Sequence, residues 1–249
     1  MSQTLLSAKN ITRRFGGLVA IDKVSVDLNQ GAVHAVIGTN GAGKSTLVSV
    51  LSGEIQPNEG SISMLGEDVT RRSQPERARA GLGRSYQRTT IFPSLSVHEN
   101  CRISAQSNHQ KFWSWATPAS KCSFSNDAAS RALELAGLAE FADTTAGLLS
   151  HGGKRQLEIA MCLATHPKVL LLDEPLAGMG AEETDRMLGL LDSLKKEHAI
   201  LLVEHDMDAV FRIADEITVM VNGCVIAHGI PEEIRTNHEV QTAYLGEEE

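Results

Sequence analysis

The chain has 249 residues, 42% of them hydrophobic, with 23 Lys and Arg against 31 Asp and Glu for a net charge of −8. That length suits one large α/β domain, or a domain with an inserted lobe, and the acidic balance argues against a nucleic-acid partner. Four cysteines without C-x-x-C spacing suggest neither a zinc site nor a disulfide framework, and the absence of a leader or a run of about 18 apolar residues points to a cytosolic protein, or one held at a membrane by partners.

Ala8 to Val26 alternates like strands joined by the turn Arg14-Phe15-Gly16-Gly17. Phe15 on that turn either packs into a core or stacks its face on an adenine ring. Ala32 to Ile37 reads as a buried strand and Leu47 to Leu51 as a helix, and between them lies Gly38-Thr39-Asn40-Gly41-Ala42-Gly43-Lys44-Ser45-Thr46. This is a phosphate-binding loop in its required strand and helix setting. Glycines bring backbone N–H groups close to phosphate oxygens, Lys44 supplies a charge to the β and γ phosphates, and Ser45 offers a hydroxyl to Mg²⁺.

Gln56 to Gly60 marks a turn and Ser61 to Gly66 a short strand, and the strand-like Gly81 to Tyr86 ends at Gln87, where a sheet edge passes into a loop. From Ser94 to Thr165 the pattern turns helical, with Ser96 and Glu99 spaced as a capping box and Ala128 to Leu138 at helical period. Between them, Gln106 to Asn126 is polar and irregular and holds Trp113 and Trp115, either on an interaction loop or tucked onto their own helices. Ser150-His151-Gly152-Gly153 then opens a helix, a second start where N–H groups and the helix dipole face an anion.

Val169 to Leu172 is a buried parallel strand ending in Asp173 and Glu174, and strand alternation assigns these two acids different jobs. Asp173 suits holding Mg²⁺, and Glu174 suits orienting and deprotonating an attacking water. Helix Glu182 to Lys196 follows, then the buried strand Ala199 to Val203 with Glu204-His205-Asp206 at its end, where ligands of open parallel sheets bind. A hairpin with an Asn222-Gly223 turn, the helix Pro231 to Thr236 and a short tail close the chain.

The order phosphate loop, Gln87, Leu149 to Arg155, Val169 to Glu174 and His205 resembles the ATP-binding cassette (ABC) ATPases over essentially the whole chain. The resemblance implies an α/β P-loop NTPase of ABC type, with a mainly parallel core sheet, an antiparallel β subdomain and an inserted helical lobe. Residues 1–93 and 166–249 would form the core with its β subdomain, and residues 94–165 the lobe. It further implies ATP and Mg²⁺ as cofactors, Phe15 as the adenine-stacking aromatic, and Gly38 to Thr46 as the Walker A loop. Gln87 would sense the metal, Ser150, His151, Gly152 and Gly153 would be the signature facing a partner's nucleotide, Asp173 and Glu174 would be metal ligand and base, and His205 the switch histidine.

Ser150-His151-Gly152, Gln156 to Ala160, Asp173 to Gly178, Leu202 to Met207 and the ending Ala243 to Glu247 look like the ATPases of branched-chain amino-acid importers. That subgroup implies a motor at the cytoplasmic face of the cell membrane. Its partners would be a second cassette, integral membrane permeases and, indirectly, a periplasmic solute-binding protein. The ATPase of lipopolysaccharide export shares the ending and stands as an alternative, with a non-transport ABC protein on ribosomes or DNA as another. The chain departs from the general pattern at Thr39, where Pro is usual, at His151 and Gly153 in the signature, and at Gly180, where an Asp is usual. Gly153 and Gly180 remove polar side chains from the expected dimer interface, for which pairing with a non-identical cassette is a natural setting.

Overall fold

The computed structural model describes residues 3–87, 89–109 and 122–245. Strands β1 (Thr4–Phe15) and β2 (Leu18–Asn29) form the expected antiparallel pair, and Val24, Val26 and Leu28 of β2 alternate inward. β3 (Val33–Gly38) is buried along its whole length and delivers the chain to the phosphate loop. Helix α1 (Lys44–Ser52) follows and stops at Gly53, which takes the left-handed conformation at φ 81°. β4 (Glu59–Met64), β5 (Glu67–Asp68), α2 (Gln74–Arg79) and β6 (Leu82–Arg84) lead to Gln87.

α3 (Val97–His109) and α4 (Ser123–Leu135) both run further into the Gln106 to Asn126 stretch than its polar composition suggests. Trp113 and Trp115 lie outside the described residues. Half of the capping box at Ser96 is made: its hydroxyl accepts the Glu99 N–H at 3.1 Å, while the Glu99 carboxylate turns to Arg102. α5 (His151–Leu163) is capped by Ser150, whose hydroxyl accepts the Gly153 N–H.

β7 (Val169–Asp173), α6 (Ala181–Lys195), β8 (Ala199–Val203), α7 (Met207–Ile213), β9 (Glu216–Val221) and β10 (Cys224–Gly229) follow the order read from sequence. Asn222 and Gly223 both have positive φ at the hairpin turn, which matches the right-handed twist of its strands. After α8 (Pro231–Thr236) the expected tail is instead a further helix, α9 (His238–Leu245), whose Val240 packs with Ile217, Val219 and Ile234.

The strands form two sheets, an antiparallel one in the order β2-β1-β4-β5 and a six-stranded one in the order β10-β9-β3-β8-β7-β6. In the second, β9, β3, β8, β7 and β6 are parallel and only β10 runs against its neighbour. Alternation assigns its faces. Leu170, Leu172, Ile200 and Leu202 join a core with Val97, Ala129, Leu157 and Leu191 of the surrounding helices. Val169, Leu171, Leu201 and Val203 join Leu47, Val48 and Leu51 of α1 and the inner face of the antiparallel sheet. Each such aliphatic side chain contributes about 1.5–3 kcal/mol on burial. Val203 pairs with Val36 on one side and Asp173 on the other, so the loops leaving β3, β8 and β7 emerge side by side.

Candidate nucleotide site and its surroundings

The loop leaving β3 wraps Lys44. Its ammonium donates to the carbonyl oxygens of Gly38 at 2.6 Å and Thr39 at 3.0 Å. Burial lowers the Lys44 pKa, and the charges of Glu174 and Asp173 act against that shift. At Gly43, φ is 99° and a Cβ would lie 2.5 Å from the Ala20 carbonyl oxygen, so only glycine lets the loop lie against β2. The resulting cleft, about 500 Å³, is lined by Phe15, Val19, the loop from Asn40 to Thr46, Gln87 and Glu174. Phe15 remains 43% exposed with the Arg13 guanidinium 4.6 Å from its ring centre, so it rims the cleft rather than filling a core.

Asp173 closes β7, nearly buried, and its Oδ1 has no hydrogen-bond partner. Burial raises its pKa, Glu174 adds to the shift, and the cations Arg84, Lys44 and Arg155 oppose it. A buried, unpartnered carboxylate oxygen beside a phosphate loop that presents the Ser45 hydroxyl is a donor set of the hard oxygen type that Mg²⁺ takes.

Glu174 does not continue the strand. Its φ is +52°, and its N–H donates to the Val203 carbonyl at 2.9 Å. Its divergence from Asp173 therefore comes from a left-handed backbone turn and not from the strand alternation that the sequence suggested. That conformation is costly for a non-glycine residue and persists where the surroundings impose it. Glu174 Oε2 accepts from Gln87 Nε2 at 3.0 Å and lies 3.4 Å from His205 Nε2. Three groups separated by 87 and 31 positions in sequence thus meet at one carboxylate oxygen.

The segment Ser150 to Gly153 is not part of this cluster. Ser150, Gly152 and Gly153 line a separate small recess with Glu183 and Arg186. There the Ser150 hydroxyl donates to Glu183 Oε1 at 3.0 Å, and a Cβ on Gly152 would lie 2.7 Å from that carboxylate. His151 Nε2 lies 3.0 Å from the Ala177 carbonyl oxygen.

Three further groups surround the site without having been singled out by sequence. Arg155 of α5 donates to the carbonyls of Tyr86 at 2.9 Å and Gln87 at 2.5 Å, and Glu158 accepts the Thr90 N–H at 2.7 Å. The two side chains pair with each other at 3.0 Å, both nearly buried. Glu204, 1% exposed, is pushed up to a pKa of about 7 by burial, with Glu174 and Asp206 adding to the shift. A charged residue between Val203 and His205, and a Glu inside an apolar helix, were the available signals.

The sequence profile described as ABC transporter matches residues 21–177, and one described as branched-chain amino acid ATP-binding cassette transporter matches residues 224–249. The chain is 40% identical to the high-affinity branched-chain amino acid transport ATP-binding protein BraF of Pseudomonas aeruginosa, over 99% of this chain and 100% of that protein. It is 39% identical to the corresponding LivG protein of Escherichia coli, with the same coverage. Among solved structures, it is similar to the ADP conformation of an ATP-binding cassette of an ABC transporter, with a TM-score of 0.89, 30% identity and coverage of 98% of this chain and 100% of that one. A nucleotide-free cassette from an ABC transporter matches at a TM-score of 0.87 and 31% identity, over 97% of this chain and 99% of that one. The chain belongs to the ABC transporter family, as one of its ATP-hydrolysing ATP-binding cassettes.

Proposed function

We propose that the protein is the ATP-hydrolysing motor subunit of an importer for branched-chain amino acids or related amides and urea. The observation that carries the chemistry is the meeting of Gln87, Glu174 and His205 at the mouth of the phosphate-loop cleft. The cargo class rests on full-length likeness to BraF and LivG.

In this reading Phe15 stacks on adenine and the loop from Gly38 to Thr46 cradles the phosphates. Lys44 leaves its carbonyl partners for the β and γ phosphates. Ser45, Gln87 and Asp173 would hold Mg²⁺, which when bound neutralises phosphoryl charge. Glu174 orients the attacking water and takes its proton, and His205 contacts the γ-phosphate. Because Ser150, Gly152 and Gly153 line a recess separate from the chain's own cleft, the segment would serve the nucleotide of a second cassette, identical or sister. ATP then joins two cassettes head to tail, and its hydrolysis lets them part, since only a difference in affinity between the two nucleotide states for the closed pair drives such a cycle.

Among the described residues no helix is long and apolar enough to cross a membrane, so transport requires permease subunits. The lobe of residues 94–165, set into a core of residues 1–93 and 166–249, receives them. A largely apolar groove of about 460 Å³ between α2, β6, α3 and α5, reaching Tyr86 and Thr90 on either side of Gln87, supports that placement. The subunit works peripherally at the cytoplasmic face, and a periplasmic solute-binding protein joins indirectly. The test is uptake of labelled leucine by cells in which Glu174→Gln replaces the native subunit. Uptake should fall to background; uptake at the wild-type rate refutes the motor role.

A further inference from the structure

We propose that Glu204 is a positioning residue that holds His205 against Glu174, its carboxylate tying the backbone of the His205 segment to that of the segment after Glu174. The inference rests on the ATPase reading given above.

β8 is apolar and buried from Ala199 to Val203, and the next side chain, only 1% exposed, is an acid. A carboxylate in such a place is costly unless hydrogen bonds replace its water. Here each oxygen has its own donor. Oε1 accepts the Leu176 N–H at 2.7 Å, and Oε2 accepts the His205 N–H at 3.3 Å. The charged side chains that bear on it, Glu174 and Asp206, are both acidic, and among the described residues no cation pairs with it. Its partners are backbone groups of the two loops that carry the reacting side chains.

Leu176 stands two residues after Glu174, and the His205 ring reaches Glu174 Oε2 at 3.4 Å. The two loops are therefore joined at three points: the Glu174 N–H on the Val203 carbonyl, the carboxylate of Glu204, and the imidazole of His205 against Glu174. Only the third involves groups that must move against nucleotide. Glu204 supplies a fixed tie beneath them, and a displacement of about 1 Å in such a site costs up to 10²-fold in rate.

The substitution Glu204→Gln keeps the shape but leaves one oxygen for two N–H donors, so one loop is released. Two measurements test the tie. In nucleotide-free protein, hydrogen exchange of peptides spanning 174–180 and 203–208 should quicken in E204Q by at least 10-fold at one of the two N–H groups, with the rest of the chain unchanged. In steady-state ATPase assays kcat should fall about 10-fold with KM for ATP within twofold of wild type, the signature of lost alignment in the chemical step. In a His205→Ala background the same substitution should change kcat less than twofold, because the group it positions is gone. Unchanged exchange in both peptides, or an equal fall in kcat in the two backgrounds, overturns the proposal. A wild-type subunit without ATPase activity overturns the ATPase reading, whereas the exchange result, which does not depend on turnover, separately decides the tie.

Discussion

Glu174 is the point on which the site converges, and its contacts set what its removal should do. Gln87 and His205 both approach its Oε2, while the phosphate loop is built independently from the end of β3 and the start of α1. Glu174→Gln should therefore keep ATP affinity and lose roughly 10²–10⁴ in turnover, a typical general-base contribution. A coupled ATPase assay beside a direct binding measurement checks this, and near-normal turnover refutes the assignment. Two buried groups, His34 away from the chemistry and Glu204 beside it, give a second test. His34 is lowered to a pKa of about 4 by burial, reinforced by His228, whose ring stacks 5.5 Å away. The unfolded chain binds that proton near 6.5, so stability contributed by neutral His34 is lost as pH falls from 6.5 toward 4, by about 3 kcal/mol in all. Glu204 has the opposite sign: with its pKa raised to about 7, its contribution is lost as pH rises from 4.5 to 7. His34→Gln removes only the first effect. Its unfolding free energy should gain about 2 kcal/mol on wild type between pH 7 and pH 5, measured by urea melts, whereas a constant offset contradicts the account. The phosphate loop and the Asp173-Glu174 pair were legible because their residues are adjacent in sequence. The tie at Glu204 was not, since it depends on β8 lying between β3 and β7.

At the scale of elements, α5 does more than close the helical core. Arg155 and Glu158, one turn apart, hold the chain on both sides of Gln87 through the carbonyls of Tyr86 and Gln87 and the N–H of Thr90. The helix that Ser150 caps is thereby fastened to the loop that reaches Glu174. Glu158→Ala leaves a buried guanidinium without its counter-ion and should cost about 3 kcal/mol. The double variant R155M/E158L should recover most of that stability, because an apolar pair replaces the ion pair, yet leave the loop around Gln87 untethered. Urea melts of the two variants decide, and a double variant no more stable than E158A contradicts the ion-pair argument. Element types were readable because apolar runs bounded by Gly, Asn and Pro are local signals. Helix lengths were less so: α3 and α4 extend through polar residues because Val97, Cys101 and Ala105 of α3 and Ala128, Ala129 and Ala132 of α4 share a core with α5, and α9 is a short helix docked by Val240. Such gains come from tertiary packing and leave little trace in periodicity.

At the scale of the whole molecule, the separation between the phosphate-loop cleft and the Ser150 recess decides how the subunit works. The two share no lining residue, and in the proposed reading they belong to two different nucleotide sites. A bulky cation at the recess should therefore spare the subunit's own ATP binding and block pairing. Glu174→Gln protein is expected to dimerise with ATP, and the further change Ser150→Arg to abolish that dimer while ATP affinity stays within about threefold, as read by light scattering and direct binding. Loss of ATP affinity with S150R contradicts the two-site arrangement. The family and its mainly parallel sheet were legible from the order of motifs, whereas the Glu183 carboxylate beside Ser150 emerged only when α6 was seen packed against the start of α5. The central claim, a motor that works on membrane permeases, is tested most directly by affinity purification of tagged Glu174→Gln protein from native membranes in ATP. The account predicts two integral membrane permeases and a second cassette in the recovered complex; recovery of the subunit with no membrane protein contradicts it.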